Sequence, residues 1–160
     1  MENRIILLVE DSDDDATLTL HAIKKNNILN DVIVAKDGEE ALDYLFGKGK
    51  YTGRDINQKP ELVLLDLRMP KMDGTEVLHR IRADHRTTDL PVVVLTSSKE
   101  DRDRVESYQL GVNSYIQKPV GFDGLVEAVK QLKLCWLVLN KAPSEVCRGL
   151  GQSTLAESRE

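Results

Sequence analysis

Short apolar runs rich in β-branched residues alternate along this chain with longer stretches whose apolar positions recur every three or four residues. Runs of the first kind suit strands buried on both faces, and stretches of the second kind suit helices that pack one face. Five strands are predicted, over residues 5–9, 32–35, 62–65, 92–96 and 114–116, the last being the shortest and least apolar. A helix follows each. Ser12 can cap the first, placing Asp13, Asp14 and Asp15 in its opening turn, where the helix dipole favours negative charge, and Ala16, Leu20 and Ile23 then form its inward stripe. Later helices are expected over 39–46, 75–84, 99–110 and from 122 to about 139, with Gly111 as a cap after the fourth. Residues 47–60 read as a long polar loop. From Lys141 onward no periodicity continues, so residues 1–140 are expected to form one domain and 141–160 a flexible tail. There is no internal repeat.

Strands and helices in strict alternation imply an α/β fold: an open, doubly wound sheet of five parallel strands with five helices. Such sheets gather their ligands at the carboxyl ends of the strands, near the point where the strand order reverses. Composition narrows the classes of function. The 160 residues and 41% apolar content suffice for one ordinary core, while a net charge of −5 and a pI near 5.3, with no basic run, disfavour nucleic-acid contact. No segment approaches the roughly 18 uncharged apolar residues needed to span a bilayer, and a cytoplasmic location without membrane association is expected. Cys135 and Cys147 lack CxxC spacing and a histidine cluster, so they read as free thiols.

The predicted strand ends carry unusual polarity. Glu10 and Asp11 follow the first strand, Asp66 the third, Thr96 and Ser97 end the fourth, and Lys118 and Pro119 follow the fifth. Three carboxylates at one edge repel one another unless positive charge sits among them. Oxygen donors of this kind suit Mg²⁺ (or Mn²⁺), which keeps several waters and completes its shell with phosphate oxygens. Lys118 offers a point charge and Thr96 a hydroxyl donor, and the set resembles a phosphoryl-transfer site with Asp66 as nucleophile. Taken singly, a strand-ending Asp is more often a cap or turn residue, a Lys before Pro an exposed turn lysine, and Thr96 a plain strand residue. Their joint occurrence at the ends of different strands carries the argument.

Four stretches, LLVED (7–11), LVLLDLRMPKMDG (62–74), VVVLTS (92–97) and YIQKP (115–119), resemble the signatures of response-regulator receiver domains. The resemblance covers about residues 3–134 and implies the flavodoxin-like strand order 2-1-3-4-5. It further implies a two-component phosphorelay in which a sensor histidine kinase, or a phosphotransfer protein, phosphorylates Asp66. Glu10, Asp11, Asp66 and the Arg68 backbone carbonyl would hold the cation, and Thr96, Ser97 and Lys118 would meet the phosphoryl oxygens. Thr96 and Tyr115 would form the switch, with Tyr115 turning inward as the Thr96 hydroxyl moves, so reshaping a protein-binding face. Glu10 stands where the family often has a second aspartate, and its longer arm points to a water-mediated link. The loop 47–60 and the segment 133–140 resemble more narrowly the stand-alone receivers found beside bacterial phytochromes, which implies a phytochrome-like kinase.

Leu125, Val129, Leu132, Trp136 and Leu139 give one helical stripe, whereas Leu134, Leu137 and Val138 lie outside it. Two readings stand side by side: a partner or homodimer contact through the last helix, or a tail that folds back over that surface. The downstream protein is unspecified. Asp11, Asp13 and Asp15 imitate an EF-hand loop, but Ala16 and Ala22 replace its glycine and glutamate. GKGK at 47–50 lacks the spacing of a P-loop, and His21, His79 and His85 fall away from the strand ends. A dehalogenase-like phosphatase needs an acid-base aspartate two residues after its nucleophile, where this chain has Arg68. The expectation is therefore a signalling phosphoacceptor rather than an enzyme with external substrates, one that catalyses only its own phosphorylation and dephosphorylation.

Overall fold

The computed structural model describes residues 4–118 and 121–133. Eleven elements follow in order: β1 (Ile5–Val9), α1 (Asp13–Lys25), β2 (Asp31–Ala35), α2 (Gly38–Phe46), a 3-10 turn (Gly49–Tyr51), β3 (Leu62–Asp66), α3 (Gly74–Ala83), β4 (Val92–Thr96), α4 (Lys99–Ser107), β5 (Ser114–Gln117) and α5 (Phe122–Leu132). All strand pairs are parallel and the sheet runs in the order β2-β1-β3-β4-β5. Adjacent helix-linked strands β1 and β2 lie on one side of the reversal, and β3 sits on the other flank of β1, which leaves a crevice at the carboxyl ends of β1 and β3.

The strands alternate between two cores because successive side chains point to opposite faces. Leu7, Val9, Val63, Leu65, Val92 and Val94 pack with Leu42 and Leu45 of α2, Val77, Leu78 and Ile81 of α3, and Val105 of α4. Ile6, Leu8, Leu62, Leu64, Val93 and Leu95 face Ala22 and Ile23 of α1 and Leu125, Val129 and Leu132 of α5. The apolar runs that mark the strands in sequence are thus covered on both sides.

Several local expectations need correction. Leu20 is only half-buried, and its place on the inward face of α1 is taken by Thr19, whose hydroxyl donates to Asp15 O at 3.0 Å and so enters the core with its polar group satisfied. The fourth helix stops at Ser107, and the left-handed turn begins at Gln109 (φ 53°), two residues before Gly111 (φ 65°). The polar loop 47–60 is ordered from within. Arg54 donates to Tyr44 O (2.7 Å), Asp55 O (3.1 Å) and Gln58 O (3.0 Å), and its guanidinium stacks 4.0 Å from the Tyr44 ring centroid. At the same amino-terminal end of the sheet Arg82 ties α3 to the loops that enter β4 and β5. It donates to Leu110 O and Leu90 O (both 2.7 Å), Thr88 O (2.9 Å) and Gly111 O (3.0 Å).

The continuation of the last helix towards residue 139, with Leu134, Trp136, Leu137, Val138 and Leu139, lies outside the described residues, as do Pro119, Cys135, Cys147 and residues 141–160.

Candidate functional site

Four strand ends and the first turn of α1 build the site. β1 delivers Glu10 at its carboxyl end, where its N–H donates to Ala35 O at 3.0 Å and its side chain is buried. Asp11, next in the chain, is exposed. β3 ends in Asp66, 6% exposed, whose Oδ1 accepts the Arg68 N–H at 3.3 Å. Carboxylate oxygens of Glu10, Asp11 and Asp66 all lie within 4.8 Å of one another, a spacing that one cation can bridge. The Glu10 carboxylate therefore lies within reach of an ion held by the two aspartates.

Gly74 makes this geometry attainable. It opens α3 against the end of β3 and donates to Leu67 O at 2.8 Å. A Cβ there would stand 2.7 Å from Leu67 Cα and would strike the Asp66 carbonyl oxygen as well. Only a residue without a side chain fits between α3 and the strand end that holds Asp66.

Lys118 closes the site from β5. Its Nζ lies 2.9 Å from Glu10 Oε1, 3.0 Å from Asp15 Oδ2 and 3.6 Å from Asp66 Oδ2. Burial alone would lower its pKa, but the bonds to Glu10 and Asp15 outweigh that and raise it, so the ammonium is charged throughout the physiological range. Burial and the adjacent Asp66 carboxylate push Glu10 up to about 7, against the pull of Lys118.

The Lys118 N–H donates to Thr96 O at 2.6 Å, which places the ends of β4 and β5 side by side. The Thr96 hydroxyl donates to Ser98 O at 3.0 Å and accepts from Ser98 N–H at 3.2 Å, and Ser97 is exposed beside it. Arg68 turns its guanidinium outward to Asp101 of α4, with Nε 2.7 Å from Oδ2. Tyr115 faces inward: it is 8% exposed, lies in the α2/α3/α4 core, and has the Arg102 guanidinium 5.0 Å from its ring centroid. Burial pushes its hydroxyl up to about 12. The Thr96 hydroxyl is bonded to Ser98 in the same structure.

The site residues anticipated from sequence converge, with Glu10, Asp11, Asp66 and Lys118 in one cluster and Thr96 and Ser97 on the neighbouring strand end. Asp15, a first-turn acid that suits the helix dipole, also reaches Lys118 with its carboxylate. The signal lay in its spacing, four residues after Asp11, which returns the first turn of α1 to the same edge. Asp101 carried no such signal, since its pairing with Arg68 spans 33 positions of sequence.

Comparison with known proteins accords with this geometry. The family model described as "Response regulator receiver domain" matches residues 6–130. The bacteriophytochrome response regulator AtBRR is similar in structure, with a TM-score of 0.73, 48% identity, and coverage of 85% of this chain and 96% of that one. The phosphorylated cyanobacterial phytochrome response regulator RcpA aligns with a TM-score of 0.76 at 38% identity over 89% of this chain and 99% of its own. Response regulator Rcp1 of Synechocystis sp. (strain ATCC 27184 / PCC 6803 / Kazusa) is 38% identical over 134 residues, 84% of this chain and 89% of its own. Its Mn²⁺-bound form aligns with a TM-score of 0.75 at 37% identity, covering 88% of this chain and 99% of that one.

Proposed function

Because this chain belongs to the family of response regulator receiver domains, the phosphoacceptors of two-component signalling, we propose that Asp66 is the residue phosphorylated. The observation that carries the assignment is the convergence on buried Asp66 of two further carboxylates within 4.8 Å and of the Lys118 ammonium at 3.6 Å. One Asp66 oxygen attacks the phosphorus of a phosphohistidine on a histidine kinase or phosphotransfer protein. The P–O bond forms, the P–N bond breaks, and the imidazole nitrogen keeps the electron pair and takes up a proton.

Glu10, Asp11 and Asp66, with the Arg68 backbone carbonyl, would hold Mg²⁺ or Mn²⁺, in line with the Mn²⁺-bound form of Rcp1. The donor set fits such an ion because it consists of closely spaced oxygens from hard ligands. When bound, the cation neutralises charge on the transferred group. Lys118 supplies the second positive charge from within the chain, and the Thr96 and Ser97 hydroxyls are placed to donate to the phosphoryl oxygens. Thr96 must leave Ser98 to do so, and that exchange would carry the signal to α4 and to the face around Tyr115. The likeness to bacteriophytochrome and phytochrome response regulators supports a phytochrome-like kinase as donor. We place the domain at residues 1–140 in the cytoplasm; among the described residues no helix is long and apolar enough to cross a membrane. The chain acts on no external substrate and turns over only its own phosphoryl group.

Intact mass after incubation with a small phosphodonor tests this. One phosphoryl adduct that requires Mg²⁺ and disappears in Asp66→Asn is expected, and normal labelling of Asp66→Asn would overturn the assignment.

A further inference from the structure

Lys118 has more counter-charge around it than one phosphoryl group requires. Two of its three carboxylate partners, Glu10 and Asp66, belong to the cluster whose oxygens lie within 4.8 Å of one another, and the third, Asp15, does not. A divalent cation held in that cluster would offset the charge of Glu10 and Asp66. Lys118 is then left with Asp15, at 3.0 Å, as its anionic partner among the three.

We infer that Asp15 is a positioning residue, holding Lys118 Nζ on the α1 side of the site and competing with a phosphoryl group on Asp66 for that ammonium. The inference rests on the phosphorylation of Asp66 proposed above and deepens it. The helix itself does not need the Asp15 carboxylate. Ser12 caps α1 through its hydroxyl, which accepts the Asp15 N–H at 3.2 Å, and Asp13 and Asp14 already supply acidic charge to the first turn. The Asp15 carbonyl accepts the Thr19 hydroxyl. With its backbone fixed at both ends, the side chain is directed across the strand ends to Lys118.

The Asp15 carboxylate is 43% exposed and the Lys118 side chain 23%, so solvent weakens their attraction without abolishing it. To reach a phosphoryl oxygen the ammonium must loosen its hold on Asp15, and that loss subtracts from its affinity for the new anion. Removing the Asp15 charge should therefore tighten phosphoryl binding by roughly two- to fivefold, the range expected of a partly exposed ion pair.

The test uses beryllofluoride, which mimics a phosphoryl group on a carboxylate, titrated by calorimetry at saturating Mg²⁺. The proteins compared are the wild-type chain, Asp15→Asn, Asp15→Glu and Asp14→Asn. Asp14→Asn removes a charge from the same turn but none of the contacts to Lys118. Asp15→Asn is expected to bind the mimic roughly two- to fivefold more tightly, with Asp15→Glu near wild type and Asp14→Asn unchanged. A poorly folded variant would bind more weakly, so damage to the fold cannot produce the expected gain. Unchanged or weaker binding by Asp15→Asn overturns the inference and leaves Asp66 in place, and equal tightening in Asp14→Asn also overturns it by assigning the effect to net charge. Failure of the wild-type chain to bind the mimic overturns the reading of Asp66 and this inference with it.

Discussion

Replacing Gly74 by Ala adds one methyl group at the most crowded joint near the site. The new carbon would lie 2.7 Å from Leu67 Cα, with the Asp66 carbonyl also in its path, and both obstacles are backbone of β3 and its exit. Neither can rotate away as a side-chain tip would. Forcing a methyl group into packed surroundings of this kind costs about 1–3 kcal/mol. Alanine's better helix propensity offsets at most about 1 kcal/mol in a helix interior, and less at this first position of α3. Net destabilisation of about 1–3 kcal/mol is expected in urea unfolding, with the m-value unchanged. The functional loss should exceed the stability loss, because the strand end that must move also carries Asp66. Displacing a reacting group by an ångström can slow a reaction roughly a hundredfold, so the initial rate of adduct formation from a small phosphodonor should fall about tenfold or more. Gly121→Ala is the control, since among the described residues a Cβ there meets nothing within 4 Å, and it should change both readings little. If Gly74→Ala unfolds at the wild-type urea concentration and labels at the wild-type rate, the close approach does not constrain Asp66 and the reasoning is wrong.

Cation binding should weaken as pH falls through the range set by Glu10. In the cation-free protein that carboxyl titrates near 7, so below this value a proton must leave before the ligand is available, and affinity should drop about tenfold per pH unit, measured by calorimetry with Mg²⁺. A flat affinity between pH 8 and pH 6 would overturn the coupling of cation binding to the raised Glu10 carboxyl. Lys118→Ala should slow adduct formation by roughly tenfold to a hundredfold, the loss expected when one charged hydrogen bond to the transferred group disappears; a rate within twofold of wild type would remove Lys118 from the reacting centre. Arg82→Leu, far from the site, should cost about 2–4 kcal/mol in urea unfolding, because four carbonyls lose a charged donor, while Mg²⁺ affinity stays unchanged. A loss below about 0.5 kcal/mol would mean that water replaces those bonds without penalty.

Much of this protein was legible in one dimension because its decisive signals are local. A parallel strand covered on both faces must be apolar along its whole length, so residues 5–9, 62–65 and 92–96 announce themselves, and all three strands lie where expected. Strict alternation with helices then leaves few topologies, and Glu10, Asp11, Asp66, Thr96 and Lys118 are fixed to one edge by their positions at strand ends. α4 ends three residues before the position its sequence suggests. Its sequence is polar almost throughout, and Val105 is its single buried residue, so little periodicity marks where it stops.

Tertiary structure decided what depends on distance between segments remote in sequence. Only the fold brings Asp15 to Lys118 across 103 positions, gives Arg68 to Asp101, and lets Arg82 bind the carbonyls of Leu110 and Gly111. It also placed Thr19 rather than Leu20 on the buried side of α1 and Tyr115 among the side chains of the α2/α3/α4 core. Periodicity records which face of an element is apolar, and strand ends record where polarity gathers. Which charge finds which partner is settled by the packing of the finished sheet and its helices, because electrostatic partners need only be near one another in space.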